Sequence, residues 1–168
     1  MDFERAERYW AEKAEEGTKM PPAELMAAIE DFLSSRNTCA FATGDLGGRL
    51  RCTPLEYTYK DGCFWFLSEG GLKFRGLREN KRAAVAVFDR YEGFGKLNGL
   101  EAEGTVEIIE PWSVEYVAFL EGKGYQAEKL RMLPATLYLI KFKPESYDFL
   151  SSSLKEKGRG IMQHLDMA

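Results

Sequence analysis

Arg51–Asn80 reads RCTPLEYTYKDGCFWFLSEGGLKFRGLREN, and its reading decides the fold. Asp61-Gly62 separates two runs rich in β-branched and aromatic residues, Arg49–Tyr59 and Cys63–Ser68. An Asp-Gly pair tolerates the left-handed backbone of a tight hairpin turn, so the two runs are expected to pair antiparallel. In that register Lys60 faces Cys63, Tyr57 falls opposite Phe66, Leu55 opposite Ser68 and Thr53 opposite Gly70. Side chains alternate along a strand, so Arg51, Thr53, Leu55 and Tyr57 share a face with Phe66 and Ser68. Arg51 and Thr53 then end beside the Ser68–Lys73 loop. A slip of one residue, or a bulge, would undo this pairing.

Outward from the hairpin, the pattern extends in both directions. Thr38–Thr43 is a short apolar, strand-like run, and Asp45–Gly48 is a turn cluster. Gly71–Asn80 has helical composition. Ala83–Phe88 and Leu97–Ile109 read as strands joined by the Gly- and aromatic-rich loop Asp89–Lys96. Pro111 opens a helix of roughly twenty residues, broken near Gly122–Gly124. Ala135–Phe142 is a last strand, extended by Tyr147–Leu150 beyond Pro144. Upstream, Asp2–Glu16 is a polar helix closed by Gly17. Ala23–Ser34 carries Leu25, Met26, Ile29, Phe32 and Leu33 in the stripe of an amphipathic helix, with proline in its first turn. Its other face is acidic, which suits packing on the protein rather than on a membrane.

Many strands adjacent in sequence, without βαβα alternation, predict a mainly β, antiparallel barrel with flanking α-helices. The length of 168 residues suits a single domain over 1–168. Its expected parts are N-terminal helices over 1–35, a barrel over about 37–150 and a short C-terminal tail over 151–168.

Composition narrows the function. The formal net charge is −4, which repels nucleic-acid phosphates, so no nucleic-acid partner is expected. Cys39, Cys52 and Cys63 have neither zinc-site nor disulfide-framework spacing and lie in apolar runs. They read as buried, reduced thiols. His164 is the only histidine, four residues from the end of the chain. It is expected to be an exposed tail residue, which removes His-rich metal sites and leaves a Ser-His-Asp triad without a framework histidine. The charged N-terminus lacks the apolar core of a signal peptide, and no run is long enough to span a membrane. A cytoplasmic protein with no metal and no membrane partner is the expectation.

The chemistry concentrates at Ser68-Glu69-Gly70-Gly71-Leu72-Lys73. Two glycines let the backbone turn sharply and present its N–H groups. A helix follows, with Lys73 in its first turn and Arg75 and Arg78 behind, while Arg51 arrives from the neighbouring strand. Loop, helix start, lysine and arginine together suit a phosphate monoester. A solvated basic helix after a plain glycine turn fits the same residues.

The segments R51-C-T-P-L-E56, F64-W-F-L-S68, G71-L-K73 and L77-R-E-N80 follow one another with fixed spacing, and Gly104-Thr105-Val106-Glu107 comes later. The ordered set resembles the FMN-binding core of the pyridoxamine 5'-phosphate oxidase-like family, the FMN-binding split-barrel superfamily, over roughly residues 23 to 145. The resemblance implies a split β-barrel that binds FMN and performs redox chemistry on a small molecule. It implies that Arg51 and Lys73 hold the FMN phosphate. Cys52, Thr53 and Pro54 would lie along the flavin ring and ribityl chain. Phe66, Leu67 and Ser68 would meet the flavin largely through backbone, and Asn98 lies near a position where the family often uses Gln. It also implies a homodimer with FMN at the interface.

Departures from the family pattern are equally specific. Gly71 stands where the family has a serine, Leu72 where an arginine is frequent, and Glu56 where a lysine closes R-x-x-x-x-K. A carboxylate at Glu56 repels a phosphorylated substrate. The C-terminal Trp and R-x-H elements of the true oxidases are missing. A small molecule other than pyridoxamine phosphate is therefore expected as substrate, with catalytic residues unassigned. A flavin carrier or stress-related module without turnover is the alternative, and a haem-binding relative is a further one.

Three other features have plainer readings. Glu92–Gly99 is glycine-rich but lacks nucleotide-loop spacing and reads as a strand connection, in which Tyr91 and Phe94 could stack on a bound ring. Tyr57, Phe64, Trp65 and Phe66 read as barrel core, and Glu101, Glu103 and Glu107 as a solvated strand face.

Overall fold

The computed structural model describes residues 1–167, the side chains of Trp10, Ala14 and Glu16 excepted. Helices α1 (Phe3–Glu16) and α2 (Pro22–Ser34) precede strands β1 (Thr38–Gly44), β2 (Leu50–Glu56), β3 (Thr58–Lys60) and β4 (Cys63–Ser68). Helix α3 (Lys73–Glu79), strands β5 (Arg82–Phe88) and β6 (Asn98–Ile109), and helices α4 (Val114–Gly122) and α5 (Ala127–Arg131) follow. Strands β7 (Tyr138–Ser151) and β8 (Met162–Asp166) complete the chain. The strands form one sheet in the order β2-β1-β5-β6-β7-β4-β3, with β8 paired to β7. This is the mainly β, antiparallel split barrel with flanking helices that the sequence predicts.

The chain divides into two compact units. One comprises residues 1–36, 85–103 and 145 onward, the other residues 37–84 and 104–144.

In the second of these, the hairpin turn forms as read: Asp61 and Gly62 have φ of 53° and 72°, and Lys60 pairs with Cys63. The ladder stops at Thr58↔Trp65. Tyr57 then turns its N–H to the Asn37 carbonyl at 2.7 Å. Beyond that point β2 pairs with β1, from Thr38↔Glu56 to Gly44↔Leu50. The expected pairings of Tyr57, Leu55 and Thr53 with Phe66, Ser68 and Gly70 are therefore corrected, because the strand changes partner at Tyr57. β4 takes β7 as its other neighbour, through Phe66↔Ile140 and Ser68↔Tyr138. Among the described residues no strand pairs with the opposite edge of Phe66–Ser68.

Both faces of β4 are covered, which explains its unbroken apolar run. On one face Phe66 packs against Phe41 with ring centroids 4.9 Å apart, and Phe64 against Tyr57 and Phe142 at 5.1 and 5.8 Å. On the other, Cys63, Trp65 and Leu139 pack with Ile109 and with Tyr116, Phe119 and Leu120 of α4. Trp65 stacks on Phe119 at 5.2 Å and donates its Nε1–H to the Lys60 carbonyl. These aromatics are core, as read. Helix α4 starts later than Pro111 because Trp112 takes a left-handed backbone and Ser113 caps the helix, accepting from the Tyr116 N–H at 3.2 Å.

In the other unit, Leu25, Ile29, Phe32 and Leu33 of α2 are buried, and Phe32 meets Phe149 at 5.4 Å. Arg36 lies 3.7 Å above the Phe32 ring and grips Asp89 with two hydrogen bonds, of 2.7 and 2.5 Å. The stretch expected as a tail is folded. Residues Ser152–Lys157 form a 3₁₀ turn, and β8 pairs with β7 from Ser146↔Asp166 to Leu150↔Met162. Its buried Gln163 explains why. The side chain accepts from the Met20 N–H at 2.8 Å and donates to the Gly160 carbonyl at 2.7 Å, tying β8 to the segment before α2. His164 is accordingly a strand residue, half-exposed, with Nδ1 2.8 Å from Asp148 and Nε2 3.2 Å from Asp166.

Two further expectations are corrected. Tyr138–Ser151 is one strand through Pro144 rather than two pieces. A Cβ on Gly104 would stand 2.1 Å from the Lys143 carbonyl oxygen, so only glycine permits this close passage of β6 beside Lys143 and Pro144. Cys39 and Cys63 are buried free thiols, but Cys52 is exposed, because β2 ends the strand order and its outer face is bare. Among the described residues no helix is long and apolar enough to cross a membrane.

Candidate functional site

The Ser68–Lys73 loop is built around Gly70 and Gly71, with φ of 129° and 108°, values that side-chain-bearing residues rarely adopt. Ser68 Oγ is 3.1 Å from both the N–H and the carbonyl of Gly70, accepting from one and donating to the other. Lys73 Nζ donates to the same carbonyl. Lys73 is only 5% exposed, although it carries an ammonium. Burial pushes its pKa below the ordinary lysine value, and the nearby Arg51 guanidinium lowers it further. Among the described residues no carboxylate forms an ion pair with Lys73 or Arg51.

The start of α3 contributes less than the sequence suggests. The helix has seven residues, and its first N–H groups are already spent: Phe74 donates to Gly71 and Arg75 to Leu72, both at 3.1 Å. The tight turn that the two glycines permit consumes these donors. Side chains, more than a helix dipole, make this end of the unit cationic.

Strands β1 and β2 bring further groups to it. Thr43 stands opposite Arg51, and Phe41 opposite Thr53, so these four share one face. Phe41 is fully buried there. The hydroxyls of Thr43 and Thr53 are both buried with no hydrogen-bond partner among the described residues. A buried, unmatched hydroxyl costs about 1–3 kcal/mol, so each has hydrogen-bonding capacity left for a ligand or a water. Behind this face the buried Asp45 carboxylate binds Arg49 Nε at 2.8 Å and lies 3.5 Å from Arg75 Nε.

The predicted residues divide clearly. Arg51, Thr53, Ser68 and Lys73 belong to the cationic end. Cys52 and Pro54 alternate with them and are exposed on the outer face of β2. The Phe66 side chain is in the core, and Leu67 packs on the α4 cluster, which leaves their backbone at the unpaired edge of β4. Asn98 belongs to the other unit, where its side-chain oxygen accepts from Ser151 Oγ at 2.8 Å. Thr43 and Asp45 were not legible as site residues from the sequence, and Arg75 stood out there only as a basic residue behind Lys73. The Asp45–Gly48 turn cluster was the available signal, but nothing in it indicates a buried carboxylate.

A separate concavity of about 880 Å³ lies within the unit that holds Asn98. Val87, Leu100 and Leu150 supply apolar lining, and Asn98, Gln163 and His164 supply polar groups.

The residues of the cationic end fit a flavin phosphate. A buried ammonium, a guanidinium and two unmatched hydroxyls offer positive charge and donors to an anion rich in acceptor oxygens. Solved structures of similar fold include flavin-binding and haem-binding proteins. An FAD-binding protein from Mesorhizobium loti is 18% identical with a TM-score of 0.59, over 73% of this chain and 89% of that one. HutZ, the haem storage protein from Vibrio cholerae, is 19% identical with a TM-score of 0.57, over 71% and 89%. A haem-binding protein from Mycobacterium smegmatis is 16% identical with a TM-score of 0.60, over 83% and 57%. At such identities the likeness shows the fold alone. No curated protein matches the chain. The family model for pyridoxamine 5'-phosphate oxidase matches residues 25–151, three quarters of the sequence, and the chain belongs to that family.

Proposed function

We propose that this protein binds FMN and uses it for redox chemistry on a small molecule other than pyridoxamine phosphate. The observation that carries the reading is the buried Lys73 ammonium, unmatched by any carboxylate among the described residues and pressed by the like charge of Arg51. A dianionic phosphate relieves both conditions at once. In this reading Lys73 and Arg51 hold the phosphate, and Thr53 donates to the phosphate or the adjoining ribityl chain. Backbone groups of Phe66, Leu67 and Ser68 line the ring along the open edge of β4. Cys52 and Pro54 contribute through the β2 backbone. Bound flavin would supply the electron chemistry, and the chain would orient it and tune it with nearby charge.

Glu56, exposed at the end of β2, supports a substrate without a phosphate. The exposed outer face of β2, with Leu50 84% exposed, supports a homodimer as the functional form. Haem is less well served. Both ring nitrogens of His164 already meet carboxylates, so neither is free for an axial bond. Titration of the protein with FMN and with riboflavin tests the reading. FMN should bind with the higher affinity, and equal affinities would remove the phosphate site.

A further inference from the structure

Asp45 is the most deeply buried carboxylate at the cationic end, and the flavin reading assigns it no contact. Its side chain is 1% exposed. One oxygen accepts from the Arg49 N–H at 3.0 Å, and the other binds Arg49 Nε at 2.8 Å, which closes the β1–β2 turn on itself. The second oxygen also lies 3.5 Å from Arg75 Nε, on the helix that begins with Lys73. That Arg75 nitrogen is buried with no hydrogen bond of its own among the described residues. Asp45 is therefore its only charged neighbour among the ion pairs of the described residues.

Two other contacts join the same helix to the same turn. A Cβ on Gly76 would come within 3.1 Å of the Gly44 carbonyl, so helix and strand backbones touch there. Asn80 Nδ2 donates to the Gly44 carbonyl at 3.1 Å. Helix α3 is thus stitched to the end of β1 at Arg75, Gly76 and Asn80. Arg51 stands opposite Thr43, one residue before Gly44. The stitches therefore fix the spacing between Lys73 on the helix and Arg51 on the strand. Of the three, the Arg75 contact is nearest to Lys73 in the chain and the only one made through charge.

We propose that Asp45 is a positioning residue for the anion site: through Arg75 it holds α3 so that Lys73 and Arg51 converge on one phosphate. This rests on the flavin-phosphate reading. Asp45 itself touches no ligand in this scheme, since a carboxylate in contact with a phosphate would repel it. Its charge is neutralised by Arg49 and Arg75, which allows it to sit close behind two phosphate-binding cations.

The test compares Asp45→Asn and Arg75→Gln with the unaltered protein, each titrated with FMN and with riboflavin. A positioning role predicts that each variant loses FMN affinity by about tenfold, the scale on which removing a supporting contact behind a ligand weakens a site. Riboflavin affinity should stay within about twofold, because the ring does not depend on this stitch. The double variant should be no weaker than the worse single one, since both act along one path. A general loosening of the fold would lower both affinities together, and that result, or an unchanged FMN-to-riboflavin ratio in both variants, overturns the proposal. If Asp45→Asn does not fold, Arg75→Gln decides alone, because its side chain is 35% exposed and it leaves the Asp45–Arg49 turn intact. If the unaltered protein itself fails to prefer FMN, the flavin-phosphate reading falls rather than this step.

Discussion

Arg51 adds like charge to a Lys73 ammonium whose pKa burial has already lowered. The pair is held together by the fold, Lys73 from α3 and Arg51 from β2. Removing the ammonium should weaken the anion site directly. Lys73→Ala is expected to cost about 1–3 kcal/mol of FMN binding, the value of a charge-assisted contact. Isothermal titration measures it, and unchanged affinity removes Lys73 from the site.

The same pair carries a pH signature. Lys73 has a lowered pKa in the folded, ligand-free protein, against 10.5 for an ordinary lysine. Between those two values the unfolded chain holds more protons than the folded one, so stability contributed by this group rises with pH across that window. Bound phosphate favours the charged ammonium, so FMN affinity should fall as pH rises through the lowered value. Proton uptake on binding, read as a buffer-dependent heat of titration on the alkaline side, checks both statements. Buffer-independent heat contradicts them.

Thr53→Val removes a buried hydroxyl that has no partner and keeps the shape of the side chain. The ligand-free protein should be unchanged or more stable by up to about 1 kcal/mol, since an unmatched polar group is lost. FMN affinity should fall, because the hydroxyl's intended acceptor is on the ligand. Thermal melting with and without FMN separates the two effects. Lower stability without ligand would show that the hydroxyl already has a protein role.

His164 has a raised pKa, chiefly through its hydrogen bond to Asp148, with Asp166 adding to it. Its contribution to stability is fully present below 6.5 and is lost as pH rises through the raised value. Half-exposed, the pair is expected to contribute only about 0.2–1 kcal/mol. His164→Asn should therefore melt slightly lower than the unaltered protein in mild acid and level with it in alkali. A constant gap across pH would mean that packing, rather than charge, holds β8 on β7.

Gly104→Ala places a methyl 2.1 Å from a backbone oxygen that cannot turn aside. The variant should lose at least about 1–3 kcal/mol, the usual cost of overfilling a packed site. Chemical denaturation measures it, and a stable variant would show that β6 and β7 separate easily near Lys143.

The hairpin at Asp61-Gly62 was legible in the sequence because its turn chemistry is local. The limits of β4 and the course of α2 followed from apolar pattern in the same way. The change of partner at Tyr57 was not legible: it comes with the pairing of β2 to β1 and a hydrogen bond to Asn37, twenty residues away. The folding of residues 152–166 escaped notice for a related reason, since Gln163 is polar and reveals its burial only through Met20 and Gly160. At the site, Arg51 and Lys73 stood out by charge and spacing. Thr43 and Asp45 did not, because an unmatched hydroxyl and a carboxylate buried between two arginines are facts of packing.

The most direct measurement is the visible absorption of the purified protein after FMN is added and the excess removed. The two visible bands of oxidised flavin should be retained at one flavin per chain and diminished in Lys73→Ala. A protein that stays colourless, or that retains riboflavin as firmly as FMN, would contradict the phosphate site on which the account stands.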